Sequence, residues 1–502
     1  MENFTAWGLV SATPQQREAT AERIVDQMWL TLRPKCISLL VGFLSQPVSP
    51  QSFLRFELAI ADCVRELGRL VLQATVNALE PESPRQLPRD LWSEGSGFRR
   101  RNEKTRNAFV ATLCGTITLW RRGYRSWEGA DGSLFPLERL LGLTQGVTPG
   151  LVDWLGRKIA DAGASQQRVL QWLRDEHGVR MGVKRLRAVI DALSQGLAEF
   201  RQSNQVQALL EALQKAHAGS GPRKPVLAVG RDGITLREYR HRFFEIATAA
   251  TVSVYDRWGQ RLTTVYLASP PELGQATMSR MLTGLLQDVF ARWLGPLPRL
   301  AYVSDCGGNE STYYQDTLRH MKHPRTGKPL HWQRVVDYFH VAQRIWTMAA
   351  QLFGADTQQS AGWAHRMLKA LKKPSGPSRV LHSAASHLHR RNLKPAAAKI
   401  FWTAYRYLQT RTKFLRYHEY AARHIPLGSG VTEAACKTIF TQRMKLSGMR
   451  WSRDGASTIL NLRVILLSGT WHNTFSDHLD SSHPTQLQSY APLRQTGPNI
   501  AA

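Results

Sequence analysis

Apolar residues recur three and four positions apart through Glu22–Leu32 and again through Phe56–Leu79, a spacing that predicts two helices within the first 80 residues. Pro, Ser and Gly then cluster over 81–97, and the basic run Phe98–Arg106 follows, so 81–110 reads as a linker with a basic stretch. Ala108–Trp127 is rich in β-formers and alternates, which predicts a small hairpin. From residue 151 the helical period returns. Gln166–His177, a break at Gly178 and Val183–Leu193 have the form of a helix-turn-helix. The second helix collects Val183, Leu186, Val189, Ile190 and Leu193 on one face and turns Lys184, Arg185 and Arg187 elsewhere. Two readings of that basic face stay open: a recognition helix set against DNA, or an ordinary amphipathic helix with solvated cations.

The pattern changes after the Gly- and Pro-rich stretch 218–225. Val226–Leu236, Glu245–Asp256 and Arg261–Pro270 read as strands, the last two joined by a turn at Arg257–Gln260. Glu272–Trp293 reads as a helix with Met278, Met281, Leu282, Leu285, Val289 and Phe290 on its buried stripe. Arg299–Gly307 reads as a fourth strand, then a short helix, then a fifth strand at Trp332–His340. Three antiparallel strands followed by two crossover-linked ones form the strand order of a ribonuclease-H-like α/β fold. Its first and fourth strands would be neighbours. Residues 341–425 read as an all-helical insertion, with a small core of its own from Trp346, Phe353, Trp363, Leu368, Leu371, Ile400, Phe401 and Tyr405. The expected organisation is a helical amino-terminal region (1–80), the linker (81–110), a hairpin with the helix-turn-helix (111–217), the first part of a catalytic core (218–340), the insertion (341–425), the rest of the core (426–471) and a loose polar tail (472–502).

Charge sharpens this picture. The 502 residues carry a net charge of +28, with Lys+Arg 66 against Asp+Glu 38, and a surface that positive invites a polyanion, most often nucleic acid. The excess is local. Residues 1–98 have 9 basic and 11 acidic residues, whereas 341–425 have 15 basic residues against Asp356 and Glu419 alone. A polyanion path confined to part of the chain fits this better than a uniformly basic coat. No apolar run approaches ~18 residues, so no membrane span is expected, and the first residues lack a basic-then-apolar signal pattern. The five cysteines form no CxxC, which argues against a zinc ribbon and against a disulfide framework, and places the expected site of action in a reducing cytoplasm, near the nucleoid.

Acidic residues are scarce in the last two thirds of the chain, so their positions are informative. Asp232 lies at or just past the middle of the first strand, Asp305 ends the fourth, and Glu433 follows a Gly-Ser-Gly break and opens a helix. An Asp before Gly often only caps a turn, and an acid after Gly-Ser-Gly often only caps a helix. All three at the proper element ends outweigh that reading. Converging carboxylates repel one another unless cations neutralise them, and hard oxygen donors suit two Mg²⁺ or Mn²⁺ ions. Such a pair can activate a water or a 3′-hydroxyl against a phosphodiester.

These residues resemble those of DDE transposases of bacterial insertion sequences, of the ISKra and ISLre type within the wider Mutator-like group. The resemblance runs over roughly 110–470 and rests on Arg231-Asp232-Gly233, on VSDCGGN at 303–309, on VVDYFHV at 335–341 and, most specifically, on GSGVTEAACKTIFTQRMKLSGMRWS at 428–452. It implies Asp232, Asp305 and Glu433 as the catalytic, metal-holding acids. It makes Asp337 and His340 a Cys/Asp-x-x-His motif with an auxiliary role, and 341–425 the insertion before the Glu helix. Two departures stand out. Cys306 intervenes where relatives often have Asp-Gly, and the segment up to Pro136-Leu137-Glu138 lacks their cysteines, so no zinc site carries over. His340 is read as structural or as supporting an acid rather than as reacting itself. Lys437, one turn from Glu433, is read as holding the Glu or touching the DNA backbone. Arg443, Lys445 and Arg450, with Lys372, Lys373, Arg390 and Arg391 in the insertion, are candidate DNA contacts. His320, His323 and His331 flank a loop and are expected to be exposed, and Trp451 is expected to be a core residue.

The expectation is therefore a metal-dependent transposase that cuts DNA at transposon ends and joins 3′-hydroxyls to target DNA, working as a homodimer or higher oligomer on DNA. The alternative is a non-catalytic DNA-binding protein of the same fold, either a decayed or domesticated copy or a helix-turn-helix regulator.

Overall fold

The computed structural model describes residues 12–481 apart from 94, 130–131, 238–243 and 392, together with Glu2–Asn3 and Gln488–Ser489. The chain divides into two compact units, one comprising residues up to 159 with 164–196 and those from 475 onward, the other 160–163 with 197–474.

In the first unit the two amino-terminal helices run Pro14–Leu44 and Pro50–Leu79. Each starts at a capping box, in which Thr13 accepts from Gln16 N and Ser49 from Ser52 N, with Pro in the first turn. The hairpin is longer than its apolar residues suggest. Strands Ser96–Thr112 and Gly115–Ser126 pair antiparallel from Thr112↔Gly115 outward to Phe98↔Ser126. Asp90–Ser93 adds a further strand, pairing Leu91↔Phe98. The segment expected to be a linker is thus largely sheet. Its charged residues hide the signal, but a ladder satisfies backbone groups whatever the side chains are. Helices Pro149–Ala160 and Gln166–His177 follow. Gly178, at φ +65°, ends the latter in the left-handed conformation that favours glycine, and its N–H and that of Val179 return to Arg174 and Leu173 carbonyls. The next helix starts at Val183 as expected but continues to Ala218. Leu186, Val189, Ile190 and Leu193 are buried, as the stripe predicts.

The second unit is mixed α/β, and its elements are labelled here. Its five-stranded sheet comprises β1 (Val226–Arg237), β2 (Phe244–Tyr255), β3 (Arg261–Ser269), β4 (Arg299–Ser304) and β5 (Trp332–Val336), in the order β5-β4-β1-β2-β3. β1, β2 and β3 pair antiparallel, while β4 is parallel to both β1 and β5. Alternation along β1 sends Leu227 and Val229 to one face and Val226 and Ala228 to the other. The first face packs on helix α1 (Ala276–Arg292) through Met278, Leu282, Leu285 and Val289, and on Leu209 and Leu213. The other face meets the inserted helices, α3 (Tyr338–Phe353), α4 (Gln358–Leu371), α5 (Gly376–His389), α6 (Pro395–Arg411) and α7 (Tyr417–Ala422), which follow the short helix α2 (Gly308–Asp316). Trp363, Leu371 and Phe401 are buried there, but Trp346 and Ile400 are exposed at 38% and 46%, so the helical stripe is narrower than the sequence implies. Towards the far end of β1 and along β2, Leu236, Ala247 and Ala249 pack on α8 (Gly430–Cys436), its π-helical continuation Lys437–Thr441 and α9 (Arg453–Leu467). The expected fifth strand stops at Val336, because Asp337 caps α3 and starts the helix. The first residues of the expected tail are helical, over Trp471–Ser481; residues 482–487 and 490–502 lie outside the described residues. Among the described residues no helix is long and apolar enough to cross a membrane.

Candidate active site

β1 and β4 are in register with Gly230 opposite Val303. Just past the end of this pairing, Asp232 and Asp305 come close enough for the charge of one to act on the other. β1 extends past β4, so Asp305 lies in the turn that leaves the sheet. That turn is tightly held. Asp305 Oδ1 accepts from Gly307 N (2.9 Å) and Ser304 Oγ accepts from Cys306 N (3.3 Å), while Cys306 takes a left-handed φ of +63°. The insertion grips the same turn, since Tyr407 donates its hydroxyl to the Asp305 carbonyl (2.8 Å) and Arg411 donates Nη2 to the Cys306 carbonyl (3.3 Å).

Glu433 reaches the sheet through a close helix–strand approach. Thr432, its neighbour on α8, shares a hydrogen bond with Thr251 of β2 (2.7 Å). A Cβ on Gly230 would lie only 1.9 Å from Thr432 Oγ1, so α8 can seat here only because β1 has a glycine at this position. Glu433 itself is half-exposed. Its Oε1 lies 3.0 Å from Ser429 Oγ and 3.5 Å from His340 Nε2.

A fourth carboxylate, not singled out in the sequence, belongs to the same cluster. Glu310, in the first turn of α2, is buried. A Cβ on Gly307 would meet Glu310 Oε2 at 2.4 Å and Asp305 Oδ1 at 3.4 Å, so both carboxylates converge on this glycine. An acid five residues after Asp305 at a helix start was the available signal, but helix-opening acids are too common to distinguish it.

The electrostatics follow from this crowding. Burial pushes the Asp232 carboxyl above its ordinary range, and the charges of Asp305 and Glu433 add to the push against the hydrogen bond from Gly233 N. Glu310 is raised likewise, by burial first and by Asp305 and Asp232 as well, with Arg231 opposing. The Cys436 thiol, hydrogen-bonded to Asp232, is pushed up by burial and by that carboxylate. Among the described residues none of Asp232, Asp305, Glu310 and Glu433 pairs with a Lys or Arg within 4.0 Å.

Asp337 has a different environment. It is fully buried, and its carboxylate accepts from Phe339 N (2.6 Å), His340 N (3.0 Å) and both the backbone N–H and the hydroxyl of Ser429. It caps α3 and ties that helix to the loop before α8, so Asp337, Ser429, Glu433 and His340 form one connected chain.

The basic candidates separate into two groups. Lys184, Lys373, Arg390, Lys437, Lys445 and Arg450 are exposed. Lys372 and Arg391 are also exposed, and lie over the rings of Tyr338 and Phe353. Arg187 is exposed and donates to Gln166 Oε1 (3.0 Å). Two do not fit the expectation. Arg185 is half-buried and spends its guanidinium on the carbonyls of Phe109 (2.8 Å), Gly146 (2.9 Å) and Gln145 (3.1 Å), so it braces the hairpin. Arg443 is 1% exposed, stacks over Trp451 (5.2 Å) and has its pKa lowered by burial and by Arg463 to about 10, so it is a packing residue and not a surface contact. Trp451 is half-buried and donates Nε1 to Met444 O (2.9 Å), as a packing residue would. Of the three histidines, His320 and His331 are exposed but His323 is buried, its Nδ1 accepting from Arg325 N (3.2 Å).

The donor set suits a hard cation in kind: oxygen only, partly buried and, among the described residues, not ion-paired with a Lys or Arg. As the side chains stand, no three His, Cys, Asp or Glu residues among those described enclose an ion, and Glu433 is drawn to Ser429 and His340. Comparison of the sequence with protein-family models and with curated proteins finds no match.

Proposed function

We propose that the chain is a metal-dependent DNA strand-transfer enzyme of the DDE transposase kind, built on a ribonuclease-H-like catalytic core. The observation that carries this reading is the approach of Asp232 and Asp305 at one end of the sheet, with Glu433 and Glu310 close enough to act on them and, among the described residues, no Lys or Arg ion-paired with any of the four within 4.0 Å. The strand order, with the parallel β4 and β5 added beside β1 of an antiparallel meander, supports the fold assignment. The two-helix segment ending at Gly178 and continuing from Val183 supports a helix-turn-helix, and the basic insertion supports DNA as the partner.

Held by Asp232, Asp305 and Glu433, two Mg²⁺ or Mn²⁺ ions would supply Lewis-acid activation of a water or 3′-hydroxyl and neutralise charge on the leaving oxygen. The protein's own part is positioning. The Tyr407 and Arg411 bonds fix the turn carrying Asp305. The Gly230–Thr432 approach sets the height of α8, and Asp337, through Ser429, aligns the start of α8 on which Glu433 sits. His340, facing Glu433, orients its carboxylate. Exposed Lys437, Lys445 and Arg450 on α8 and the segment after it suit phosphate contacts that hold a strand over the acids. Assembly as a homodimer or higher oligomer on DNA belongs to this reading, since two element ends must be joined.

The test is cleavage of oligonucleotides bearing the element's own ends. Nicking or joining is expected with Mg²⁺ or Mn²⁺ and absent with EDTA. Asp232→Asn, Asp305→Asn and Glu433→Gln should each abolish it while DNA binding survives, and the three losses should not add. Cleavage indifferent to chelation removes the two-ion mechanism. DNA binding with no cleavage under any metal supports the non-catalytic alternative.

A further inference from the structure

Arg411, which holds the Cys306 carbonyl, also lines a cavity of about 440 Å³ that none of the four clustered carboxylates touches. Arg319, Arg334, Lys413, Tyr314 and Phe414 line it as well, and among the described residues no Asp or Glu does. Four cations around one cavity repel each other.

The centre of this arrangement is preorganised. Arg334 leaves β5 at a position only 7% exposed. Its guanidinium is set between the rings of Tyr314 (5.1 Å) and Phe414 (4.9 Å) and is pinned by Nη2 on Ser311 Oγ (2.6 Å). Its Nε is buried with no acceptor, and so is that of Arg411. The mutual repulsion of these cations is relieved when an anion enters the cavity and accepts from their guanidinium groups. The fork geometry of two guanidinium groups matches the oxygens of a phosphate, and the volume lies within the roughly 300–1,000 Å³ of small-ligand sites.

We propose that this cavity is a phosphate site for a nucleic-acid strand, separate from the carboxylate cluster and joined to it through Arg411 and the Cys306 turn. The phosphate is either the 5′-terminal monoester of a cut strand or an internal phosphodiester. The nucleic-acid part rests on the function proposed above; the anion site itself does not.

The experiment uses the full chain in EDTA, so that no cleavage intervenes. Pyrophosphate is titrated calorimetrically into the wild type, into Arg319→Gln/Lys413→Gln and into Lys399→Gln/Arg406→Gln, which removes the same charge from exposed positions of α6 outside the cavity lining. The cavity variant should bind pyrophosphate about tenfold more weakly or worse, and the control should match the wild type. Arg319 and Lys413 are exposed at the rim, so neither change burdens folding; a melting curve superposed on the wild type's confirms it. Pyrophosphate should also displace a fluorescent single-stranded oligonucleotide from the wild type. A larger loss for the 5′-phosphorylated oligonucleotide than for its 5′-hydroxyl twin assigns the terminus, and an equal loss for both assigns the internal phosphodiester. Equal pyrophosphate affinity in the cavity and control variants overturns the site. Pyrophosphate binding in the cavity with no oligonucleotide bound by the wild type overturns the strand as occupant, and the nucleic-acid function with it, but leaves the anion site.

Discussion

Replacing Gly230 by Ala tests the geometry that brings Glu433 to the sheet. The new Cβ would sit 1.9 Å from Thr432 Oγ1, 3.0 Å from Thr251 Oγ1 and 3.1 Å from Thr432 Cβ. Thr432 is buried and hydrogen-bonded to Thr251, so it cannot simply rotate away. Restoring a contact near 3.4 Å requires α8 to lift by about 1.5 Å, since β1 is a central strand paired on both sides. Overpacking of this sort costs about 1–3 kcal/mol, or a melting temperature lower by roughly 2–4 °C per kcal/mol in a domain of this size. A displacement of ~1 Å at a reacting group costs on the order of 10²-fold in rate, so metal-dependent cleavage should fall by about that factor. Thr432→Ala removes the clashing hydroxyl and leaves the 3.1 Å contact. The double variant should therefore recover most of the lost stability and part of the activity, with a coupling of at least ~1 kcal/mol in a thermal double-mutant cycle. Melting curves provide this readout without assuming any activity. Additive effects of the two substitutions, or Gly230→Ala melting at the wild-type temperature, would refute the argument that this glycine sets the position of α8.

Glu310→Gln should stabilise the metal-free protein at neutral pH. The folded-state pKa of Glu310 is raised, so the folded state holds its proton more tightly than the unfolded one. Its penalty is absent below the ordinary carboxylate range, sets in as pH climbs from that range through the raised pKa, and is complete above it. The melting-temperature difference between variant and wild type should therefore grow from pH 4 to pH 7 and is wrong in sign if it shrinks. Asp337→Asn should cost about 1–3 kcal/mol in stability, because an amide cannot accept from all four donors. It should lower cleavage ~10–100-fold without abolishing it; a dead Asp337→Asn beside an active Asp305→Asn would make Asp337 the second catalytic acid. Charge reversal at Lys372, Lys373, Arg390 and Arg391 should weaken binding to any DNA and flatten its salt dependence, about one unit of slope per lost phosphate contact. Arg443→Met should leave that slope unchanged, and a slope lower by a full unit would return Arg443 to the DNA surface.

The element order of the second unit could be read from the chain because strand alternation and helical spacing are local properties. The turn at Arg257–Gln260, the buried stripe of Ala276–Arg292 and the break at Gly178 all stand where local pattern puts them. Asp232 and Asp305 could be proposed as partners because a parallel first and fourth strand is a matter of strand order. Long-range packing decided the rest. The pairing of β1 with β4 brings Asp232 near Asp305, and neither strand states it alone. Gly230 reads as one more strand glycine until Thr432 lies over it, and Glu310 as one more helix-opening acid until Gly307 lets it approach Asp305. Arg185, Arg443 and His323 look like surface residues because charge and polarity predict exposure only on average. Arg185 is used by the carbonyls of Phe109 and Gly146, contacts formed only once distant segments meet, and Arg443 is buried under Trp451 where the chain folds back on itself eight residues on. Residue type and spacing specify what a side chain can do, whereas burial and partners, which set its charge state and its reach, exist only after the chain has closed on itself.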